Sequence, residues 1–202
     1  MRGGLSVGEW VGRYKGRSAV VIGNGESRLR FDLQEIPTGI ATFGCNALYR
    51  DYQPTVLGAV DVKMLEEIVS STYTGILLAP KTRTLQVEKA SDELEVISFD
   101  LVRGWSTGPM TLFSAAFFGC NPVFILGFDM GFSYRENLVN NVYRGTKNYK
   151  PIESGLTHYE AWIPQVEEVI TEFPSTQFVQ LGEPTLVELG IETGSWDTVL
   201  RS

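Results

Sequence analysis

The run Val20-Val21-Ile22-Gly23-Asn24-Gly25-Glu26-Ser27 constrains this chain more than any other stretch. A short, continuously apolar segment passes without a break into a Gly-x-Gly turn. Apolar runs that do not alternate with polar residues are buried on both faces, as the strands of a parallel sheet are. A parallel strand ending in such a turn leaves backbone N–H groups at the carboxyl edge of the sheet, where open α/β sheets take their ligands. Glycine is expected there for positive φ and for close approach of backbone to a phosphate.

The pattern recurs along the chain. Apolar runs predict strands over 19–22, 40–43, 56–60, 75–79, 95–99, 123–126 and 177–180. Amphipathic segments predict helices over 47–52, 62–70, 110–119 and 159–173. This alternation reads as α/β: a single Rossmann-like, mostly parallel sheet with helices on both faces. A length of 202 residues suits one such domain over 1–202 and allows a sizeable core. One segment departs from the pattern. From 129 to 157 the chain is rich in Asn, Tyr, Gly and Arg and has little periodicity. A connection of that length inside a compact domain is a functional lid or is disordered. Its aromatics Phe132, Tyr134, Tyr143 and Tyr149 favour an ordered or ligand-ordered lid.

Composition narrows the partners. A hydrophobic fraction of 43% and a charged fraction of 20% are those of an ordinary soluble globular chain. The net charge of −7 argues against a nucleic-acid backbone as the main partner, but is compatible with an anionic small ligand held by local donors. Cys45 and Cys120 are too few for a disulfide scaffold, and no metal-ligand spacing is present, so no metal site is expected. Met1-Arg2-Gly3-Gly4 carries no apolar signal core and no run reaches membrane-spanning length; the expected location is the cytoplasm. A homo-oligomer stays open.

Several polar elements follow apolar strands. Asn46, after the strand ending in Phe43-Gly44-Cys45, suits either a helix N-cap or a ligand contact. Asp61, after Gly58-Ala59-Val60, suits a cap for the helix at 62–70. Ser106-Thr107-Gly108-Pro109 precedes the next helix, and its hydroxyls and free N–H groups suit an anion as well as a cap. Gly127-Phe128-Asp129 ends a further strand. The single histidine, His158, lies between Thr157 and Glu160, which have capping-box spacing. A helix start disfavours imidazolium, so His158 is expected to be neutral near pH 7 and able to accept a proton.

Five of these elements, in order, resemble a bacterial sialyltransferase family: Gly23-Asn24-Gly25-Glu26-Ser27, Cys45-Asn46-Ala47-Leu48-Tyr49, Ser106-Thr107-Gly108, Phe124-Ile125-Leu126-Gly127-Phe128-Asp129 and Thr157-His158-Tyr159. The family's pattern is GNGPS, CN-x-x-Y, a TSG turn before a helix, GxDFY and SHY. The resemblance covers about 19–173. It implies a Rossmann-like, GT-A-variant fold and metal-independent use of CMP-sialic acid. The related DUF115/MptE-like proteins share the nucleotide-binding core, and some resemble pyrophosphokinases acting on a pterin alcohol with ATP.

What the resemblance implies for residues is specific. Asn24 and Asn46 contact the phosphate and ribose of the nucleotide, and Thr107 and Gly108 hold the cytidine or its phosphates. His158 is the general base that deprotonates the acceptor hydroxyl. Tyr134 lies near a lid tyrosine that stabilises the leaving phosphate, and Arg103 is one position from a family arginine. The nucleotide site as a whole is expected to comprise Gly23, Asn24, Gly25, Ser27, Asn46, Asp61, Ser106, Thr107, Gly108 and Asp129. The chain departs from the family pattern at three points. Glu26 stands for Pro, Met130-Gly131 replaces the aromatic after Gly127-Phe128-Asp129, and Asp61 stands roughly at a family Asn.

The expected function is transfer of a sugar from a CMP-sugar donor to a hydroxyl of a glycan or small-molecule acceptor, with no cofactor. Two alternatives stand beside it. One is an MptE-like diphosphokinase or phosphotransferase, which needs Mg²⁺ and ATP and for which Asp61 and Asp129 are the natural ligands. The other is a nucleotide- or sugar-binding protein without turnover.

Overall fold

The computed structural model describes residues 5–83, 94–99, 104–130, 139–154 and 159–202. Among the described residues, nine strands form one sheet: β1 (Leu5–Ser6), β2 (Ala19–Ile22), β3 (Ala41–Cys45), β4 (Val56–Gly58), β5 (Ile76–Pro80), β6 (Glu95–Phe99), β7 (Val123–Leu126), β8 (Phe178–Leu181) and β9 (Glu192–Gly194). Their order is β1-β6-β5-β4-β3-β2-β7-β8-β9, and each of these pairings is parallel. From β2 the chain moves outward through β3, β4 and β5 to β6, then returns to lay β7 on the other side of β2. The strand order therefore reverses beside β2. A crevice opens at the carboxyl ends of the strands at such a reversal, because the flanking connections leave on opposite faces.

Among the described residues, the helices with both ends placed are α1 (Val62–Val69), α2 (Thr107–Phe117), α3 (Trp162–Glu172) and α4 (Trp196–Leu200). Two cores result. On one face Val21, Phe43, Ile97 and Ile125 pack under α2 and α3 through Met110, Leu112, Val166 and Val169. On the other, Val20, Ile22, Leu57 and Leu126 pack under α1 and the 3-10 turns through Met64, Leu65 and Ile68. Residues 19 to 22 are all fully buried and alternate between the two cores, which is why the run is apolar without interruption. Among the described residues, no helix is long and apolar enough to cross a membrane.

Strands expected at 19–22, 95–99 and 123–126 form with those bounds. Other elements shift for local reasons. α2 begins three residues earlier than expected, at Thr107. Pro109 is tolerated in its first turn, where an N–H has no helical partner. The helix expected at 47–52 is a 3-10 turn over Asn46–Arg50. Helix formation from Tyr159 starts as a 3-10 turn and becomes α-helical at Trp162, with Ala161 at the cap. Ala161 has no side-chain acceptor, and Thr157, the expected capping residue, lies outside the described residues.

Candidate functional site

A cleft of about 540 Å³ opens at the carboxyl ends of the strands around the reversal. Its walls come from the turns after β2 (Gly23, Asn24, Gly25), β3 (Cys45, Asn46), β4 (Val60, Asp61) and β7 (Gly127, Phe128, Asp129), and from the start of α2 (Ser106, Thr107, Gly108). These residues are widely separated in sequence. The parallel sheet brings them together because every strand ends on the same edge.

The Gly-Asn-Gly turn is built differently from its sequence expectation. Neither Gly23 nor Gly25 has positive φ; Gly25 has φ −64°. A Cβ at Gly23 would overlap the carbonyl oxygen of Gly127, and one at Gly25 the carboxylate of Asp129. The two glycines let the β2 and β7 turns lie against each other. That packing is a structural requirement distinct from close approach to a phosphate. Gly127 does need the left-handed region, at φ 69°.

Asn24 is 9% exposed and holds the floor together. Its Nδ2 donates to the Cys45 carbonyl at 3.0 Å and to the Tyr149 hydroxyl at 3.1 Å. Its Oδ1 is buried and has no hydrogen-bond partner among the described residues. A buried acceptor without a donor costs stability unless something supplies one. The Tyr149 hydroxyl accepts a second bond from the Ala47 N–H at 3.3 Å. Burial foremost raises the Tyr149 pKa, so this phenol keeps its proton.

Asn46 is not an N-cap. Cys45 holds that position, and Asn46 is the first residue of the 3-10 turn, at φ 52°. Asn tolerates this left-handed geometry better than other non-glycine residues. Its Oδ1 accepts from the Thr107 hydroxyl at 3.1 Å. Asp61 occupies the N-cap position of α1 but its side chain makes no capping bond, and it lines the cleft instead. Ser106 likewise sits at the N-cap of α2 without a side-chain capping bond.

Asp129 lines the cleft but is engaged from within. Its carboxylate accepts from the Ser27 N–H at 2.9 Å, from the Ser27 hydroxyl and from Asn140 Nδ2 at 2.9 Å. Ser27 therefore lies behind the β7 turn as the partner of Asp129 and is not part of the cleft wall. His158, Tyr134 and Arg103 lie outside the described residues.

Residues 139–154 supply a wall that sequence reasoning assigned only in outline. Val139, Asn140, Asn141, Arg144, Asn148, Tyr149 and Lys150 line the cleft. The segment is docked at several points. Val142 N–H donates to the Asn24 carbonyl at 2.8 Å, and the Glu26 N–H donates to Asn140 Oδ1 at 2.7 Å. Buried Arg28 donates to the Tyr143 hydroxyl at 2.8 Å, and that hydroxyl donates to Asp51 at 2.6 Å. Asn148 donates to Glu67 Oε2 at 2.6 Å, and Arg50 donates to Thr146 Oγ1 at 2.8 Å. These polar anchors act together with apolar ones, since Tyr143 is buried in the second core and Val142 and Tyr149 pack against it. Tyr149 is one of the aromatics that favour an ordered segment, but its seat beside Asn24 follows only from the docking.

No protein-family model matches this chain, and no curated protein matches it. Solved structures do match in fold. A structure of the sialyltransferase CstII from Campylobacter jejuni with the substrate analogue CMP-3FNeuAc superposes with a TM-score of 0.57 at 11% identity, covering 88% of this chain and 86% of that one. A CstII structure with cytidine-5'-monophosphate gives 0.57 at 11% identity, over 89% and 85%. A third, of CST-II with trisaccharide acceptor and CMP, gives 0.54 at 12% identity, over 88% and 86%. At these identities the likeness is one of fold: the chain has the α/β architecture of the sialyltransferase structures.

Proposed function

We propose that this protein is a sialyltransferase-like glycosyltransferase that moves a sugar from a CMP-sugar to an acceptor hydroxyl. The observation that carries the reading is the cleft where Asn24, Asn46 and the start of α2 at Thr107–Gly108 converge. Asn24 and Asn46 contact the phosphate and ribose of the nucleotide from the turns after β2 and β3. The N–H groups of the first turn of α2, which have no partner within the helix, face developing negative charge on the phosphate. The fold is that of structures holding CMP, a CMP-sugar analogue and a trisaccharide.

In the reaction the acceptor oxygen attacks the anomeric carbon, and the bond from that carbon to the phosphate oxygen breaks. CMP leaves with the electron pair. His158 takes the proton of the acceptor hydroxyl, and Tyr134 and Arg103 join the donors around the leaving phosphate. These three roles rest on the sequence resemblance. In this reading the 129–157 segment covers the donor, which excludes water and suppresses hydrolysis.

The MptE-like phosphotransferase is the second reading. It is favoured by the presence of both Asp61 and Asp129 in the cleft. Against it, the Asp129 carboxylate is already taken by Ser27 and Asn140, which reduces its capacity to hold Mg²⁺.

Thermal shift with a nucleotide panel separates the readings. CMP or CDP is expected to raise the melting temperature more than AMP or ATP, with EDTA without effect. A ligand at a hundred times its dissociation constant stabilises by about 2.7 kcal/mol. A larger shift from ATP with Mg²⁺ transfers the assignment to the phosphotransferase. Binding of a CMP-sugar with neither transfer nor hydrolysis identifies a binding protein without turnover.

A further inference from the structure

Arg144 and Lys150 are the cationic side chains that line the cleft among the described residues, and both come from the 139–154 segment. Arg144 is positioned from two sides. Its Nη1 forms an ion pair with Glu26, on the turn after β2, and also reaches the Val139 carbonyl at 3.4 Å. The backbone around it is latched to the same turn through Glu26 N–H to Asn140 Oδ1 and Val142 N–H to the Asn24 carbonyl. Arg144 and Glu26 are both largely withdrawn from water, at 14% and 18% side-chain exposure. A guanidinium has five N–H donors in a planar fork. Only Nη1 is engaged among the described residues, so the Nε–Nη2 edge carries no described bond.

We infer that Arg144, braced by Glu26, binds the anionic group of the cleft's ligand through its Nε–Nη2 edge, with Lys150 adding a second positive charge from the same segment. The ligand class is a phosphate monoester or diester, as on a nucleotide. The inference deepens the nucleotide-transferase reading and rests on it for the identity of the nucleotide. It also accounts for Glu26, the residue that stands at a family proline. A carboxylate in a phosphate site is unfavourable unless it is spent on a cation, and here it fixes the fork while one edge stays open. Glu26 is accordingly a positioning residue that also attenuates the charge of Arg144. Asp61 and Asp129 share the cleft, so the cation must outweigh local negative charge for the anion to bind.

The test compares CMP with cytidine, which lacks the phosphate, by calorimetric titration over a series of NaCl concentrations. Arg144→Gln is expected to weaken CMP about tenfold or more, as loss of a charge-assisted pair does, and to flatten its salt dependence. Cytidine binding should be unchanged. Lys150→Gln should weaken CMP less. Glu26→Gln keeps an acceptor but removes the competing charge, and should tighten CMP while leaving cytidine alone. A pair that is only structural weakens both ligands in both variants, and that result overturns the inference, as does wild-type CMP affinity in Arg144→Gln. If the unaltered protein takes no nucleotide, the function reading falls, and inorganic phosphate decides Arg144 separately. Stabilisation by phosphate that Arg144→Gln abolishes keeps the inference; no such stabilisation overturns it.

Discussion

The Thr107 hydroxyl donates to Asn46 Oδ1 at 3.1 Å, tying the turn after β3 to the first residue of α2 across 61 positions of sequence. The bond joins the two faces of the sheet at its carboxyl edge, since the turn packs on one core and α2 on the other. It also orients Asn46 while that residue sits at φ 52°.

Asn46 therefore has two separable roles. Asn46→Ala should lose about 1–2 kcal/mol of stability, the cost of left-handed backbone for a residue with a Cβ and no local hydrogen bonding. Asn46→Gly should recover that stability, since glycine enters the region freely. CMP affinity should stay reduced in both variants. Denaturant unfolding alongside titration with CMP measures the two effects; recovery of affinity in Asn46→Gly would remove the side chain from the ligand site.

The packing role of Gly25 predicts a contrast between glycines. Gly25→Ala forces a methyl into the Asp129 carboxylate and should destabilise by about 1–3 kcal/mol, the range for overpacking. Gly39→Ala meets no atom within 4 Å and has no positive φ, so it should shift stability by about 0.5 kcal/mol or less. Equal effects in urea unfolding would contradict the account of the turn.

Arg28 is 3% exposed, yet it bonds Asp51 at 3.0 Å and the Tyr143 hydroxyl at 2.8 Å. Burial is the first cause that pushes the Tyr143 pKa up, followed by its bond to Asp51, so the phenol remains a donor. Tyr143→Phe leaves a buried guanidinium short of a partner and should cost about 1–3 kcal/mol. The same change should loosen the 139–154 segment. Hydrogen exchange of the Val142 amide, which is held by the Asn24 carbonyl, should accelerate selectively.

Glu67 predicts an acid limb of stability. Burial pushes its carboxyl up, but hydrogen bonds from Tyr49 at 2.5 Å, Arg50 at 2.8 Å and Asn148 outweigh it and hold the pKa below the ordinary 4.5. A group with a depressed folded pKa contributes stability that is present above its unfolded value and lost as pH falls through the folded one. The unfolding midpoint should thus fall with pH below about 4.5 more steeply in the native protein than in Glu67→Gln. Identical profiles would show that the Tyr49–Arg50–Asn148 cluster is not coupled to folding.

Parts of the site were legible because they follow from local pattern. Val20-Val21-Ile22 and Phe124-Ile125-Leu126 are apolar without alternation, and only burial on both faces satisfies such runs. Asn24, Asn46, Asp61 and Thr107 follow or precede elements whose ends must lie at one edge once the strands are parallel. β1 and β9 were not legible. Leu5–Ser6 and Glu192–Gly194 carry no pattern of their own and become strands by pairing with β6 and β8. The helix expected after Cys45 became a 3-10 turn for a similar reason, set by its packing under β3 and against α1.

Amino-acid order alone determined that this chain builds a parallel α/β sheet with polar turns at one edge, because hydrophobic periodicity and turn residues act over a few positions. Tertiary structure alone decided what those turns do to one another. It set Gly25 against Asp129, spent Asp129 on Ser27, left Asn24 Oδ1 without a donor among the described residues and carried Arg144 to Glu26 across 118 positions. Such relations depend on distances between segments that have no sequence proximity, and only the order of the strands in the sheet specifies them.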